Sequence, residues 1–229
     1  MMLSEQTAPR RIRSFIRRQG RITPGQELAL ANHWDTFCLD PEAECCFAEV
    51  FGRDAPTVLE IGFGNGESLA QMAADSPGTN FVGIEVHKPG VGHLLMLIEQ
   101  LGLTNLRIYC HDAVEILERR IKDHSLEGIH LFFADPWPKK KHHKRRIVRP
   151  EFIHTVVKKL KPGGYFHAAT DWENYAQHML QVLNAEPELS NSSLTGDYCE
   201  RPGYRPVTKF ENRGLRLGHG VWDLIFIRK

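Results

Sequence analysis

Five short apolar runs of this 229-residue chain each close at or beside a carboxylate, and each is followed by a stretch with helical spacing. The runs are TVLEIG (57–62), NFVGIEV (80–86), LRIYCHD (106–112), GIHLFFAD (128–135) and GGYFHAATD (163–171); a sixth, GVWDLIFIRK, ends the chain. The intervening helices are ESLAQMAAD, GVGHLLMLIEQLG, AVEILERRIKD, the stretch from Pro150 to Leu160, and WENYAQHMLQVLNA. Strands alternating with helices in this way specify an α/β fold, a mostly parallel sheet covered on both faces. Its crossovers are right-handed, and its ligands bind outside the carboxyl ends of the strands. Glu60, Glu85, Asp112, Asp135 and Asp171 then gather on one rim, a regularity that a solvated helix face does not produce. Residues 1–55 read as a basic arm and a short helical region broken at Pro24-Gly25, ahead of the sheet domain at 56–229.

The first loop, EIGFGNGES, separates two classes of ligand. A dinucleotide fingerprint G-x-G-x-x-G needs its third glycine at position 67, where this chain has Glu, and its glycines fall at 62, 64 and 66. Glu60 beside the loop repels a pyrophosphate and suits a cation. S-adenosylmethionine carries an ammonium and a sulfonium and no phosphate, so it fits this loop better than NAD does. Glu85 ends the second strand, where an acid takes ribose hydroxyls in this class of fold. Asp112 can accept from an adenine amino group or cap the following helix, and the two roles are compatible. Gly62 allows close backbone approach to a cofactor or makes a plain turn.

Charge is distributed unevenly. Residues 10–21 carry six Arg and no acid, and residues 139–149 carry seven Lys or Arg and no acid. Outside these two segments 16 basic residues face 28 acidic ones, a balance of −12 that the whole-chain value of +1 conceals. A mildly acidic body with two cationic segments is suited to a polyanion. The second segment follows Asp135 directly, in FADPWPKKKHHKRR. There the acid can handle a base while the cations hold its backbone, since phosphate contacts position a nucleic acid without reading it. Trp137 can stack on a base or fill an apolar gap. His142 and His143 join the cationic patch when protonated and lack a third ligand for a metal. The five cysteines contain no C-x-x-C pair, so neither a disulfide framework nor a zinc site is expected. No run approaches the roughly 18 apolar residues of a membrane span, and the basic N-terminus has no apolar core of a signal peptide. The expectation is a cytoplasmic protein without membrane or DNA partners, monomeric or homodimeric.

FADPWPKKKHHKRR, EIGFGNGESL, GIEVHKPGVG, TDWENYA and RPVTKFENRGLRLGHGVWDL together resemble the bacterial tRNA (guanine-N7-)-methyltransferases, from about Ile12 to the C-terminus. The resemblance implies the class I S-adenosylmethionine-dependent methyltransferase (Rossmann-like) fold, with a mostly parallel seven-stranded sheet. It also implies S-adenosyl-L-methionine as donor, S-adenosyl-L-homocysteine as product, no metal, and 7-methylguanosine formed at position 46 of the tRNA variable loop. By the same resemblance, Glu60, Glu85, Asp112 and Asp135 belong to the cofactor site, with Asp135 also the active-site residue. The substrate positions are Lys139, Asp171, Thr208, Lys209, Phe210 and Glu211, and Lys141, His142, His143, Lys144, Arg145 and Arg146 form the RNA-interaction region. In TKFENRG, Thr208 and Glu211 can face the guanine edge while Lys209 takes a phosphate. Asp171 can orient the base or cap the helix after it. The competing readings are a non-catalytic RNA-binding module, which gives the strand-end acids no purpose, and an NAD oxidoreductase, which Glu60 and Glu67 oppose. A small-molecule methyltransferase leaves the basic segments without a task.

Overall fold

The Pro24-Gly25 pair starts a helix instead of breaking one. In the computed structural model, which describes residues 12–16, 20–208, 211 and 220–229, helix α1 spans Pro24–Phe37. Thr23 Oγ1 accepts from the Gln26 N–H (3.3 Å), and Gln26 Oε1 accepts from the Thr23 N–H (2.9 Å). Proline at the first helical position forfeits no bond there, because that N–H has no intrahelical acceptor. Helix α1 packs on α4 and buries Ala29 and Leu30, so the helical part of residues 1–55 is fastened to the sheet layer. A short α2 (Phe47–Phe51) follows.

The remaining elements alternate as the periodicity required. They are β1 (Thr57–Ile61), α3 (Glu67–Asp75), β2 (Asn80–Ile84), α4 (Lys88–Leu101), β3 (Leu106–Tyr109), α5 (Ala113–Arg119) and β4 (Leu126–Phe132). After a 3-10 helix at Lys140–Arg145 come α6 (Pro150–Lys159), β5 (Leu160–Thr170), α7 (Glu173–Asn184), β6 (Leu189–Asn191) and β7 (Trp222–Arg228). The sheet order is β3-β2-β1-β4-β5-β7-β6, with β7 antiparallel to both neighbours. Strand β5 continues directly from α6, three residues earlier than GGYF suggested. Leu160 pairs with Leu126, and the register shift beyond that pair is accommodated near Gly163, whose φ is 81°. Strand β6 has three residues, too few to show a period.

Alternation along the strands sends Leu59, Ile61, Ile129, Leu131, Phe166 and Leu224 into one core with α5, α6 and α7. Val58, Phe81, Leu106 and Ile108 enter the other, under α1, α3 and α4. That second face continues over β4, β5 and β7 with His130, Tyr165, His167 and Asp223, and Tyr204 and Arg205 close over it. Strand order reverses between β1 and β4, so their carboxyl ends open a crevice. Among the described residues, no helix is long and apolar enough to cross a membrane.

One close approach shapes the crevice. A Cβ on Gly90 would lie 2.1 Å from the carbonyl oxygen of Gly64, so α4 touches the β1–α3 loop through bare backbone. Gly66, at φ 78°, does the packing that a glycine at 67 performs in dinucleotide folds, since its Cβ would lie 2.7 Å from Leu94. Gly90→Ala should cost about 1–3 kcal/mol through overpacking. Urea denaturation would show this as a lower midpoint with an unchanged slope.

Candidate active site

The crevice is a cavity of about 250 Å³ at the carboxyl ends of β1 to β4, and Gly62, Glu85, Asp112 and Asp135 all line it. Glu85, just after β2, is tied to main chain: Oε1 accepts from the N–H groups of Val86 (2.7 Å) and His87 (3.0 Å), and Oε2 from Gly64 (2.9 Å). Asp112 caps α5, with Oδ1 accepting from the Val114 N–H (3.0 Å), while it also lines the cavity. The expected cap is made, and capping does not take the residue out of the cavity wall. Asp135 is exposed and follows a left-handed residue, Phe133 (φ 53°), whose N–H donates to the Ala169 carbonyl at 2.8 Å. A non-glycine residue held there stores backbone strain, and such strain concentrates at functional sites.

Glu60, on β1 two residues before Gly62, does not line this cavity. It is 3% exposed and on the α3–α4 face of β1, and its Oε2 has no hydrogen-bond partner. Burial, and then the charge of Glu85, push its carboxyl up to about 8. A buried acid without a donor is the feature a cationic ligand would relieve. Two further wall residues, Ser14 and Phe15, come from the N-terminal segment, and sequence reasoning did not single them out. Their link to the site is Trp137, whose Nε1–H donates to the Ser14 carbonyl (3.1 Å).

Trp137 is half-buried and fills neither of its expected roles simply. The Arg145 guanidinium lies 5.1 Å from its ring centre, and His142 meets the ring edge-on at 5.9 Å. The ring anchors the 3-10 helix of the basic run, from which Lys139, Lys140, Lys141 and Lys144 project into solvent. His142 is held below the ordinary imidazole range by partial desolvation and then by Lys141, Arg145, Lys139 and Lys144. These neighbours oppose its protonation, and it joins the cationic patch only when protonated. Arg146 requires a correction. It is 2% exposed, its Nε donates to the Pro136 carbonyl (2.9 Å), its Nη2 donates to Asn174 Oδ1 (2.7 Å), and its guanidinium lies 4.9 Å from the Tyr175 ring centre. A side chain so occupied braces the loop and is unavailable to RNA, although its neighbours are available.

Asp171 is exposed after β5 and does not cap α7, whose N-cap is Trp172 with no side-chain bond. Thr208 and Glu211 bond reciprocally: the Glu211 N–H donates to Thr208 Oγ1 (3.1 Å), and the Thr208 N–H to Glu211 Oε2 (3.3 Å). Glu211 is also bidentate on Arg205, so its carboxylate does not offer a free base-facing edge while that pair stands. Lys209 and Phe210 lie outside the described residues.

The model of a family described as putative methyltransferase matches residues 54–224. The tRNA (guanine-N(7)-)-methyltransferase of Shewanella amazonensis is 60% identical over 96% of this chain and 92% of its own. That of Alcanivorax borkumensis is 58% identical over 96% and 92%. The chain belongs to the tRNA (guanine-N7-)-methyltransferase family. Among solved structures, the 16S rRNA methyltransferase KamB superposes with a TM-score of 0.58 at 18% identity, covering 80% of this chain and 92% of its own. The fold is thus the class I methyltransferase fold. In this family member, Arg146→Ala should lower stability by about 2–3 kcal/mol, since hydrogen bonds from a buried charged group are lost. Chemical denaturation measures that loss, and the salt dependence of tRNA binding should stay unchanged in the same variant.

Proposed function

We propose that this chain transfers a methyl group from S-adenosylmethionine to N7 of guanine 46 in the tRNA variable loop, in the cytoplasm where its substrate is found. The observation that carries the reading is the juxtaposition of an acid-lined cavity with an exposed cationic helix that starts five residues after Asp135. Near-full-length similarity to enzymes named for this reaction supports it.

When bound, S-adenosylmethionine supplies a methyl group activated by its sulfonium. Glu85 would take the ribose hydroxyls, Asp112 the adenine amino group, and the glycine loop at Gly62 would admit the donor close to backbone. Glu60, on β1 two residues before Gly62, would answer the donor's positive charge. Guanine N7 carries an in-plane lone pair, so no proton has to leave before attack. The work of Asp135, Asp171, Lys139 and Thr208 is therefore to orient the base for in-line displacement, with Lys209 on a phosphate. Positioning alone can supply roughly 7–11 kcal/mol in favourable cases. Lys140, Lys141, Lys144 and Arg145 would grip the RNA backbone.

Nucleoside mass spectrometry of tRNA incubated with enzyme and donor should find 7-methylguanosine at one position. Its absence, or another methylated base, overturns the reading. Replacing Lys140, Lys141, Lys144 and Arg145 together by Ala should reduce the slope of log affinity against log salt by about 3. An unchanged slope would return the run to a solvated surface.

Glu60 makes donor binding pH-dependent. Its neutral carboxyl keeps a proton that the unfolded chain has released, so this group's contribution to stability falls as pH rises from 4.5 to about 8 and is level above. A cation favours the ionised form and expels that proton. Donor affinity should rise with pH, by up to about tenfold per unit for one linked proton, and level off near pH 8. Calorimetry on Glu60→Gln should show the slope gone.

A further inference from the structure

Arg205 is the most completely buried cation described, at 0% exposure, and it lies among two carboxylates that are themselves 3% and 4% exposed. Its Nε and Nη2 donate to Asp223 Oδ1 (2.7 Å) and Oδ2 (2.9 Å), while Nη1 and Nη2 donate to Glu211 Oε2 (2.7 Å) and Oε1 (2.9 Å). Asp223 is braced in turn by His167 Nε2 (2.7 Å), and His167 Nδ1 meets the Tyr204 hydroxyl (2.9 Å). On its other side the guanidinium lies 5.9 Å from the Phe132 ring centre and 5.6 Å from that of Phe133.

Three parts of the molecule therefore meet on one planar group. Asp223 belongs to β7, Glu211 is hydrogen-bonded reciprocally to Thr208, and Phe133 is the strained residue two positions before Asp135. A guanidinium can satisfy two carboxylates in two directions and still present a face to aromatic rings, and an ammonium cannot.

We propose that Arg205 is a positioning residue for methyl transfer, holding the β4 tip that carries Asp135 and the bonded pair Thr208 and Glu211 in one fixed relation. It touches neither donor nor base; it acts through Phe133 and Glu211. The inference rests on the methyl-transfer reading above. A purely structural Arg205 would affect the fraction of folded protein and nothing else. A positioning residue changes the rate of chemistry in molecules that are folded and loaded with donor, and a displacement near 1 Å costs about 100-fold.

The test is single-turnover methylation of tRNA by full-length wild type, Arg205→Lys and Asp223→Asn at saturating donor and tRNA, with donor affinity by calorimetry and folding by near-UV circular dichroism. Both folded variants should bind the donor within about twofold of wild type, while Arg205→Lys loses about 100-fold in rate and Asp223→Asn less. The double variant should be no slower than Arg205→Lys alone, because both changes break one device. A wild-type rate in folded Arg205→Lys, losses that multiply in the double variant, or a loss that follows donor affinity would each overturn the proposal. If Arg205→Lys does not fold, a wild-type rate in Asp223→Asn overturns it and a reduced rate at unchanged donor affinity upholds it. A wild type that leaves guanine unmethylated would defeat the functional reading itself, and this inference with it.

Discussion

The cleft depends on one carboxylate. Glu85 accepts hydrogen bonds from three main-chain N–H groups, one of which belongs to the glycine loop after β1 and two to the turn into α4. Charge-assisted bonds of this kind are shorter and about twice as strong as neutral ones. They fix the spacing of two loops whose backbones already touch at Gly64 and Gly90. The cavity is a consequence of that spacing. Glu60 on β1, whose Oε2 has no hydrogen-bond partner, is pushed up first by burial and then by the charge of Glu85.

A second division of labour runs through the basic segment. Seven cations in eleven residues look alike in sequence, yet the fold sends them two ways. The 3-10 helix turns Lys140, Lys141 and Lys144 outward, and Arg146 at its end turns inward to Pro136, Asn174 and Tyr175. Trp137 joins the two purposes. Its ring supports Arg145, and its N–H holds the N-terminal segment that contributes Ser14 and Phe15 to the cavity wall. The exposed cations and the cavity wall thus share one support, a few residues from Asp135.

The polar cluster of Arg205, Asp223, Glu211 and His167 closes the part of the sheet face lying over β4, β5 and β7. Burying one guanidinium with two carboxylates is costly unless every donor has a partner, and four of the guanidinium's donor contacts are made here. Such a cluster contributes less net stability than an apolar core of equal volume would, and it provides direction. It sets where Arg205 and Glu211 lie relative to β7.

The alternation of apolar runs with helical spacing was enough to establish the parallel sheet and its two helical layers, because periods of 2 and 3.6 are local properties of the chain. Of the five strand-end acids expected on one rim, Glu85, Asp112 and Asp135 line the cavity, and Glu60 and Asp171 do not. Glu85, Asp112 and Asp135 were legible for that reason: each follows a strand, and in a parallel sheet the strand ends coincide. The Pro24 helix start differs from the expected break although its signal is local: Thr23 and Gln26 form a T-x-x-Q capping box with proline at the first helical position. Arg205 gave no signal among the other arginines, although Asp223, an acid at an inward position of an apolar strand, hinted at a buried partner. What the sequence determined by itself was the order of the elements and the chemistry at their ends. Which lysines and arginines meet solvent, which carboxylates stay free, and which residue ties distant segments together were decided only by tertiary structure. Burial and pairing arise between residues far apart in the chain, and no local pattern encodes them.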